Sequence, residues 1–155
     1  MKFKLLITLL LSGTVSLMAS SLMVHDAYVR ATPPGLPNSA AFMMFMNHSD
    51  KDLAVVSATS NIAKKVELHT HDVVDGEMRM YQVKQIDVKA NGHVMLQPGG
   101  FHIMFLGLHK PLTEGDNVDL TLSLSNGETV DITAPVKKVA SGMKMHGKHG
   151  HHGHH

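Results

Sequence analysis

The amino-acid sequence predicts an all-β protein, built as a β-sandwich or a Greek-key barrel. Short apolar runs recur at intervals of about 8 to 12 residues, as in such folds. Gly, Pro and Asn residues separate the runs, and no long stretch follows the 3.6-residue period of an amphipathic helix. The 155 residues are 43% hydrophobic, which suits one domain of ordinary size with a real core.

The first predicted strands are apolar runs that end at turn-forming residues. Residues 24–30 form one, which Pro33-Pro34-Gly35 terminates, and residues 40–47 and 53–59 form the next two. The second run reads AAFMMFMN. Its methionines, Met43, Met44 and Met46, look like a metal-binding group, but methionine is an adaptable core filler and we expect these three to pack in the interior.

Three turn sequences each lie between two later predicted strands. They are Asp75-Gly76 between 65–71 and 78–83, Ala90-Asn91-Gly92 between 86–89 and 93–96, and Ser125-Asn126-Gly127 between 118–124 and 129–134. Asp-Gly and Asn-Gly pairs favour tight hairpin turns, so each sequence predicts a hairpin. Pro98-Gly99-Gly100 predicts a tight turn before a strand at 102–108. Of these ten runs, we expect eight or nine to form strands.

Composition excludes several classes of protein. The formal net charge is +1 with histidines neutral, so no basic surface for nucleic acid is expected. The chain has no Cys, which excludes disulfides, thiolate nucleophiles, iron–sulfur clusters and blue-copper centres. It has 12 Met and 13 His instead. Thioether and imidazole groups bind soft and borderline metals, copper ahead of zinc.

The first 21 residues have the pattern of a secretory signal. Lys2 and Lys4 precede an apolar run at 5–11, and small residues at 19–21 offer a cleavage site. The alternative is a membrane anchor, but the apolar run is shorter than the roughly 20 residues that a span requires. We therefore expect a protein outside the cytoplasm, without stable membrane insertion after signal removal. Without a Cys, lipid attachment at the cleavage region is excluded.

The last segment, residues 141–155, is rich in Met and His and is predicted to be a disordered tail. It reads SGMKMHGKHGHHGHH and offers no apolar residues for packing. Engineered tags are usually uninterrupted His runs, whereas Gly spacers divide this one, so we interpret it as a natural metal-binding arm. Its candidate ligands are Met143, Met145, His146, His149, His151, His152, His154 and His155. The folded domain is expected at 22–140.

Four residues in the second half of the chain follow the spacing H-x10-M-x21-H-x-M: His69, Met80, His102 and Met104. Side chains alternate between the faces of a strand, so His102 and Met104 point to the same side, about 7 Å apart. His69 and Met80 lie on opposite arms of the first predicted hairpin, where cross-strand pairing brings them close. If the His102 strand lies over that hairpin, two imidazoles and two thioethers converge.

This donor set favours monovalent copper. A thioether sulfur is soft and uncharged, so it binds Cu(I) well and binds Zn(II), Mg(II) or Ca(II) poorly. Two imidazoles add affinity without adding charge. No nucleophile–base pair accompanies the four residues. We therefore interpret the protein as one that handles a metal cargo and not as an enzyme.

The four residues and the segments around them resemble the PCuAC family of periplasmic copper chaperones, whose pattern is H-x10-M-x21-H-x-M. The similarity includes VELHTH at 66–71, GEMRMYQV at 76–83 and PGGFHIMFLGLHKPLTEGDNVDLTL at 98–122. The resemblance implies a cupredoxin-like β-sandwich in the periplasm. It implies that the domain binds Cu(I) and supplies the copper-carrying subunit of cytochrome c oxidase, often alongside a Sco-type protein. It also implies a C-terminal extension that binds Cu(II), and the ligands His69, Met80, His102 and Met104.

Neighbouring residues leave the ligand set partly open. Many members of the family have Met at the position of His71, so the choice between His69 and His71 is not settled by the sequence. His71 and Met78 each share a strand face with a predicted ligand and are additional candidates. Glu67 lies on the same face, where it either orients an imidazole or is solvated.

The remaining Met and His residues are assigned no role. Met95 is expected in the core or at a sheet edge. The other histidines are isolated in the sequence, and we expect them at the surface or in ordinary hydrogen bonds: His25, His48, His93 and His109.

The sequence favours a copper chaperone, with a periplasmic copper buffer as the alternative. In the buffer, capture of the metal matters and delivery does not. Electron transfer on a β-sandwich is disfavoured, because without Cys there is no blue-copper centre. A structural or adhesion sandwich with an incidental His-rich tail is the fourth interpretation; in that case the tail alone would bind metal.

Overall fold

The computed structural model describes residues 19–138, which form ten β-strands and no helix. The strands are β1 (Leu22–Arg30), β2 (Asn38–Asn47), β3 (Leu53–Thr59), β4 (Ala63–Val74), β5 (Glu77–Gln82), β6 (Ile86–Val88), β7 (His93–Leu96), β8 (His102–Leu108), β9 (Asn117–Leu124) and β10 (Thr129–Lys137). The all-β prediction is confirmed, with one or two strands more than expected. Residues 19–138 include no helix with the length and apolar character needed to cross a membrane. Most of the predicted signal and the whole tail at 141–155 lie outside the described residues.

The strands are arranged in two sheets that share one continuous pairing order, β5-β4-β8-β2-β1-β10-β9-β3-β6, with β7 also beside β2. We call β5, β4, β8, β2, β7 and β1 the front sheet, and β10, β9, β3 and β6 the back sheet. The sheets join where the end of β1 pairs in parallel with the end of β10, Val29 opposite Val136. The two layers enclose the core and form a single β-sandwich domain, as predicted.

The core consists of alternate side chains from both sheets. Leu68, Ile103 and Phe105 of the front sheet are at most 3% exposed, as are Leu120 and Leu122 of the back sheet. Burial of such a side chain contributes about 1.5 to 3 kcal/mol. Because successive side chains of a strand point to opposite faces, the residues between these in β4 and β8 project from the outer face of the front sheet.

Two of the three predicted hairpins are confirmed and the third is wrong. β4 pairs with β5 across Asp75-Gly76, and β9 pairs with β10 across Ser125-Asn126-Gly127. The turn at Ala90-Asn91-Gly92 exists, but β6 before it pairs with β3 and β7 after it pairs with β2. The turn therefore carries the chain from the back sheet to the front sheet. Turn residues fix a local change of direction, whereas tertiary packing decides which strands pair.

Asn47 stabilises this crossing from within the domain. Its side chain is 2% exposed, and its Nδ2 donates hydrogen bonds to the carbonyl of Lys51 at 2.7 Å and to the carbonyl of Val88 at 3.1 Å. Its Oδ1 accepts from the backbone N–H of Ser49 at 2.9 Å. The contact with Val88 is buried, where a polar group without a hydrogen-bond partner is costly.

β7 and β8 follow one another along the same edge of β2. β7 lies opposite Met43–Met46 and β8 lies opposite Asn38–Ala41. The predicted Pro98-Gly99-Gly100 turn separates them: Gly99 has φ 86°, and the N–H of Gly100 donates to the carbonyl of Gln97 at 2.9 Å. The turn therefore sets the position at which β8 begins with His102.

Candidate metal centre

The β4–β5 hairpin places a histidine opposite a methionine. Asp75 and Gly76 have φ values of 54° and 79°, the left-handed conformation that both central residues of a tight hairpin turn require. The resulting ladder pairs His71 with Met80 and His69 with Gln82. His71 is thus the direct neighbour of Met80, and His69 is its diagonal neighbour.

β8 brings the second histidine–methionine pair to the same place. It pairs with β4, with His69 opposite His102 and Glu67 opposite Met104. β8 does not lie over the hairpin but is hydrogen-bonded beside β4 within one sheet. The predicted side chains still converge, because directly opposed residues on paired strands share a face of the sheet. The outer face of the front sheet therefore gathers all four predicted residues.

His102 is the most buried polar group of the cluster, with 3% of its surface exposed. Its Nδ1 lies 2.9 Å from the carbonyl oxygen of Gly100. A carbonyl only accepts, so Nδ1 carries the hydrogen. In a neutral ring the lone pair is then on Nε2, which lies 3.1 Å from the sulfur of Met80. Two electron-pair donors thus face each other at short range.

The surroundings keep His102 neutral. Burial lowers the pKa of His102 below its ordinary value of 6.5, while the hydrogen bond to Gly100 opposes this effect. Neighbouring His71, His69 and Arg30 lower the pKa of His102 further. A neutral imidazole at pH 7 is the form that binds a metal ion.

His69 and His71 each have one ring nitrogen without a partner among residues 19–138. This is Nδ1 in both rings, and both atoms are buried. The ring centroid of His71 lies 5.1 Å from that of His102, and the centroid of His69 lies 5.8 Å away. Nε2 of His69 contacts a carboxylate oxygen of Glu67 at 2.7 Å. Glu67 therefore orients an imidazole, the first of the two alternatives for this residue, and leaves Nδ1 of His69 as the available donor.

The methionines differ in their exposure. Met80 is 46% exposed, and Met104 is half-buried between Glu67 and Ala40 on the neighbouring strands. Met78 is 65% exposed, opposite Val73 and further along the hairpin. Residues 19–138 contain no group of three His, Asp or Glu side chains positioned to hold a metal ion.

A cleft of about 450 Å³ opens above the cluster, lined in part by His71, Met80, His102 and Met104. Its far wall includes Pro33 and Leu36 of the loop between β1 and β2. Phe42 forms part of the floor, and its ring centroid lies 6.2 Å from that of His102. The guanidinium of Arg30 lies over the Phe42 ring, 5.4 Å from the ring centroid. His71, Met80, His102 and Met104 are consequently screened on one side and reachable from solvent, whereas His69 does not line the cleft.

Two methionines that we expected in the core are not there. Met43 is buried, as predicted, at 1% exposed. Met44 and Met46 are half-buried and project from the outer face of the front sheet. Strict alternation along AAFMMFMN could have shown this, since the buried Phe45 lies between them.

These features define a class of protein: a small β-sandwich domain with imidazole and thioether donors clustered on the outer face of one sheet. Residues 22–136 match a family model described as "Putative lipoprotein LpqE-like". This model represents the PCuAC family, and the chain belongs to it.

Individual relatives agree with this assignment. The chain is 35% identical over 120 residues to "Putative lipoprotein Lxx21020" of Leifsonia xyli subsp. xyli (strain CTCB07), covering 77% of this chain and 71% of that protein. It resembles the solution structure of apo-DR1885 from Deinococcus radiodurans with 31% identity and a TM-score of 0.62, covering 92% of this chain and 95% of that one. The CuI-DR1885 structure matches with 31% identity and a TM-score of 0.62, covering 79% of this chain and 82% of that one. The copper-bound PCuAC domain from PmoF2 shares the fold, with 19% identity and a TM-score of 0.66 over 79% of this chain and 97% of that domain.

Proposed function

We propose that this protein is a copper chaperone that holds Cu(I) through His69, Met80, His102 and Met104. The observation that carries the proposal is the approach of the Met80 sulfur to Nε2 of the buried His102, at 3.1 Å. These two atoms are uncharged donors, and Nδ1 of His69 adds a third donor that has no hydrogen-bond partner in the described part of the chain. A neutral N/S donor set suits monovalent copper better than it suits zinc or magnesium.

The relatives support copper as the cargo. The family includes a structure described as CuI-DR1885, which is 31% identical to this chain. A copper-bound PCuAC domain shares the fold. The sequence shows no nucleophile–base pair accompanying the four residues, so we propose binding and transfer of the metal.

Of the two candidate imidazoles, we propose His69 as the ligand. Its contact with Glu67 fixes the ring orientation and leaves Nδ1 free, which is the usual arrangement of a metal-bound histidine and its supporting carboxylate. His71 is the competitor, since it is directly opposite Met80 and closer to His102. His71 and Met78 serve as additional donors while the metal enters or leaves.

The acceptor that we propose is the copper-carrying subunit of cytochrome c oxidase, with a Sco-type protein as the alternative recipient. Transfer is a ligand exchange without electron transfer: a donor of the acceptor binds Cu(I) before Met80 or Met104 dissociates. We also propose that the protein works in the periplasm and that the tail at 141–155 captures Cu(II). The lipoprotein names of the relatives support export. This chain has no Cys to which a lipid could be attached.

Cu(I) competition against bicinchoninate tests the site. The full chain should lose its tightest equivalent of Cu(I) in the His102→Ala variant and keep it in the matched control His109→Ala, because His109 is exposed and outside the cleft. X-ray absorption at 0.5 equivalents of copper should show both sulfur and nitrogen scatterers. An unchanged affinity in His102→Ala, or a spectrum with nitrogen alone, would refute the site.

Delivery needs its own experiment, because a copper buffer would pass the binding test. The Cu(I)-loaded full chain is mixed with the apo copper domain of the oxidase subunit, the two are separated, and copper is measured in each. A chaperone should transfer most of its folded-site copper within minutes, and Met80→Leu should change the transfer rate. Retention of the metal against an acceptor of higher affinity would identify a buffer instead.

A further inference from the structure

Six Met and His side chains form a second group on the outer face of the front sheet, away from the cleft. The ladders place Met23 opposite Met46, and His25 opposite Met44, between β1 and β2. They also place Met95 opposite Met44, and His93 opposite Met46, between β7 and β2. The six residues, Met23, His25, Met44, Met46, His93 and Met95, thus occupy two adjacent rows across three neighbouring strands. We call this group the β1–β2–β7 patch.

All six side chains of the patch point away from the core. Leu22 and Phe45, their neighbours in β1 and β2, are buried at 1% and 0% exposed. Met23 and Met95 are 47% and 46% exposed. The register of β1 shifts between His25 and Tyr28, where Asp26 has φ 53°, so the irregularity lies just beyond the patch and does not disturb it.

The Met and His residues are concentrated on one surface of the domain. Residues 19–138 contain eight Met and seven His, and twelve of these fifteen project from the outer face of the front sheet. Six belong to the cleft region and six to the patch. If the patch required only apolar side chains, Leu or Val would suit it equally well. Each of its six positions instead has a side chain with a sulfur or imidazole electron pair.

We infer that the β1–β2–β7 patch is a second binding site for a soft monovalent metal ion, Cu(I) or Ag(I). Met23, Met46, Met44 and Met95 form a continuous path in which each residue is a direct or same-strand neighbour of the next. Directly opposed side chains have Cβ atoms about 4.5 to 5.5 Å apart, and the flexible thioether arms can close on a single ion. His25 and His93 supply imidazoles at the two remaining corners. None of the six side chains is anionic, so hard divalent cations are disfavoured.

The patch is separate from the cleft and does not depend on the function proposed above. Phe42, whose ring packs near His102, lies between the two groups in β2. Met44 is two residues beyond Phe42 and Met46 is four beyond it, which corresponds to about 7 and 13 Å along the strand. No side chain is shared. The patch should therefore fill as an independent site on the same sheet.

Methionine methyl NMR on the full chain resolves the sites from one another. The protein is labelled with ¹³C at the methionine methyl groups, each signal is assigned with a single Met→Leu variant, and Ag(I) is added stepwise. We expect the methyl signals of Met23, Met44, Met46 and Met95 to shift together and to saturate at one equivalent for the patch. The signal of the buried Met43 is the internal control and should not respond.

A matched double variant tests the stoichiometry. Met44→Leu/Met46→Leu keeps the apolar volume, and it should remove one bound Ag(I) and abolish the shifts of Met23 and Met95. It should leave those of Met80 and Met104 unchanged. The inference is overturned if the four patch signals stay fixed through several equivalents, or if the double variant binds as many ions as the parent. Shifts in the patch without shifts at Met80 and Met104 would refute the proposed cleft site and leave the patch intact.

Discussion

The contact between Glu67 and His69 provides the sharpest test of the proposed Cu(I) site. The carboxylate is 2.7 Å from Nε2, and the two side chains are 21% and 12% exposed, so water competes little for the pair. Loss of a carboxylate that orients a metal-bound histidine typically costs about 10- to 100-fold in metal affinity. In this pair we expect Glu67→Ala to weaken Cu(I) binding by that factor, which corresponds to about 1.4 to 2.7 kcal/mol.

The assay is Cu(I) competition at fixed pH, with three further variants. Glu67→Gln removes the charge but keeps an acceptor for Nε2–H, and it should recover part of the loss. Glu77→Ala removes a carboxylate from exposed β5 and should leave affinity unchanged. His69→Ala should weaken binding more than Glu67→Ala does. The reasoning is refuted if Glu67→Ala stays within about twofold of the parent while His71→Ala loses the site, since His71 would then be the ligand.

Three further predictions concern stability. Asn47→Ala should lower the free energy of unfolding by about 2 kcal/mol in urea denaturation, because it removes the side-chain donor to the carbonyls of Lys51 and Val88, the latter buried, and a loss under about 0.5 kcal/mol would contradict that role. Gly107→Ala should lower the free energy of unfolding by about 1 to 2 kcal/mol, since Gly107 has φ 70° and an added Cβ would meet the Lys64 side chain at 3.0 Å. An unchanged melting temperature would argue against strain at this position. In the full chain, which retains Ser21, hydrogen bonds to Glu128, first from the backbone N–H of Ser21, lower the pKa of its carboxyl group from 4.5. The stabilisation by these bonds is therefore present above about pH 4.5 and is lost as pH falls through the folded-state pKa. The stability gap between the parent and Glu128→Gln should therefore shrink in acid, and a gap that is independent of pH would contradict this.

The parts of the fold that the sequence predicts correctly are those decided locally. Asp75-Gly76 and Ser125-Asn126-Gly127 form hairpins, and the positive φ values of Asp75, Gly76 and Gly127 suit a tight turn between two strands. Ala90-Asn91-Gly92 has similar turn residues, with Asn91 at φ 54°, but joins strands of different sheets. The side-chain pattern of two short strands cannot distinguish these outcomes, because pairing depends on β3 and β2, which are remote in sequence.

The candidate site was predictable in its residues more than in its geometry. The spacing H-x10-M-x21-H-x-M identifies side chains that the structure brings onto one face. Which histidine faces Met80 depends on the register of the hairpin, and the register pairs His71 with Met80. The support from Glu67 also depends on rotamers that a sequence does not define. The β1–β2–β7 patch escaped prediction because its six residues come from three segments that are isolated along the chain.

Met80 reaches the cleft on the outermost strand of the sheet. All six residues of β5 are exposed, and within residues 19–138 this strand is hydrogen-bonded to β4 alone. His102, by contrast, belongs to a strand held on both sides, by β4 and by β2. Detaching β5 breaks a single ladder and leaves the interior dry. Of the two atoms that approach each other, the nitrogen of His102 therefore belongs to a strand paired on both sides, and the sulfur of Met80 to a strand paired on one side.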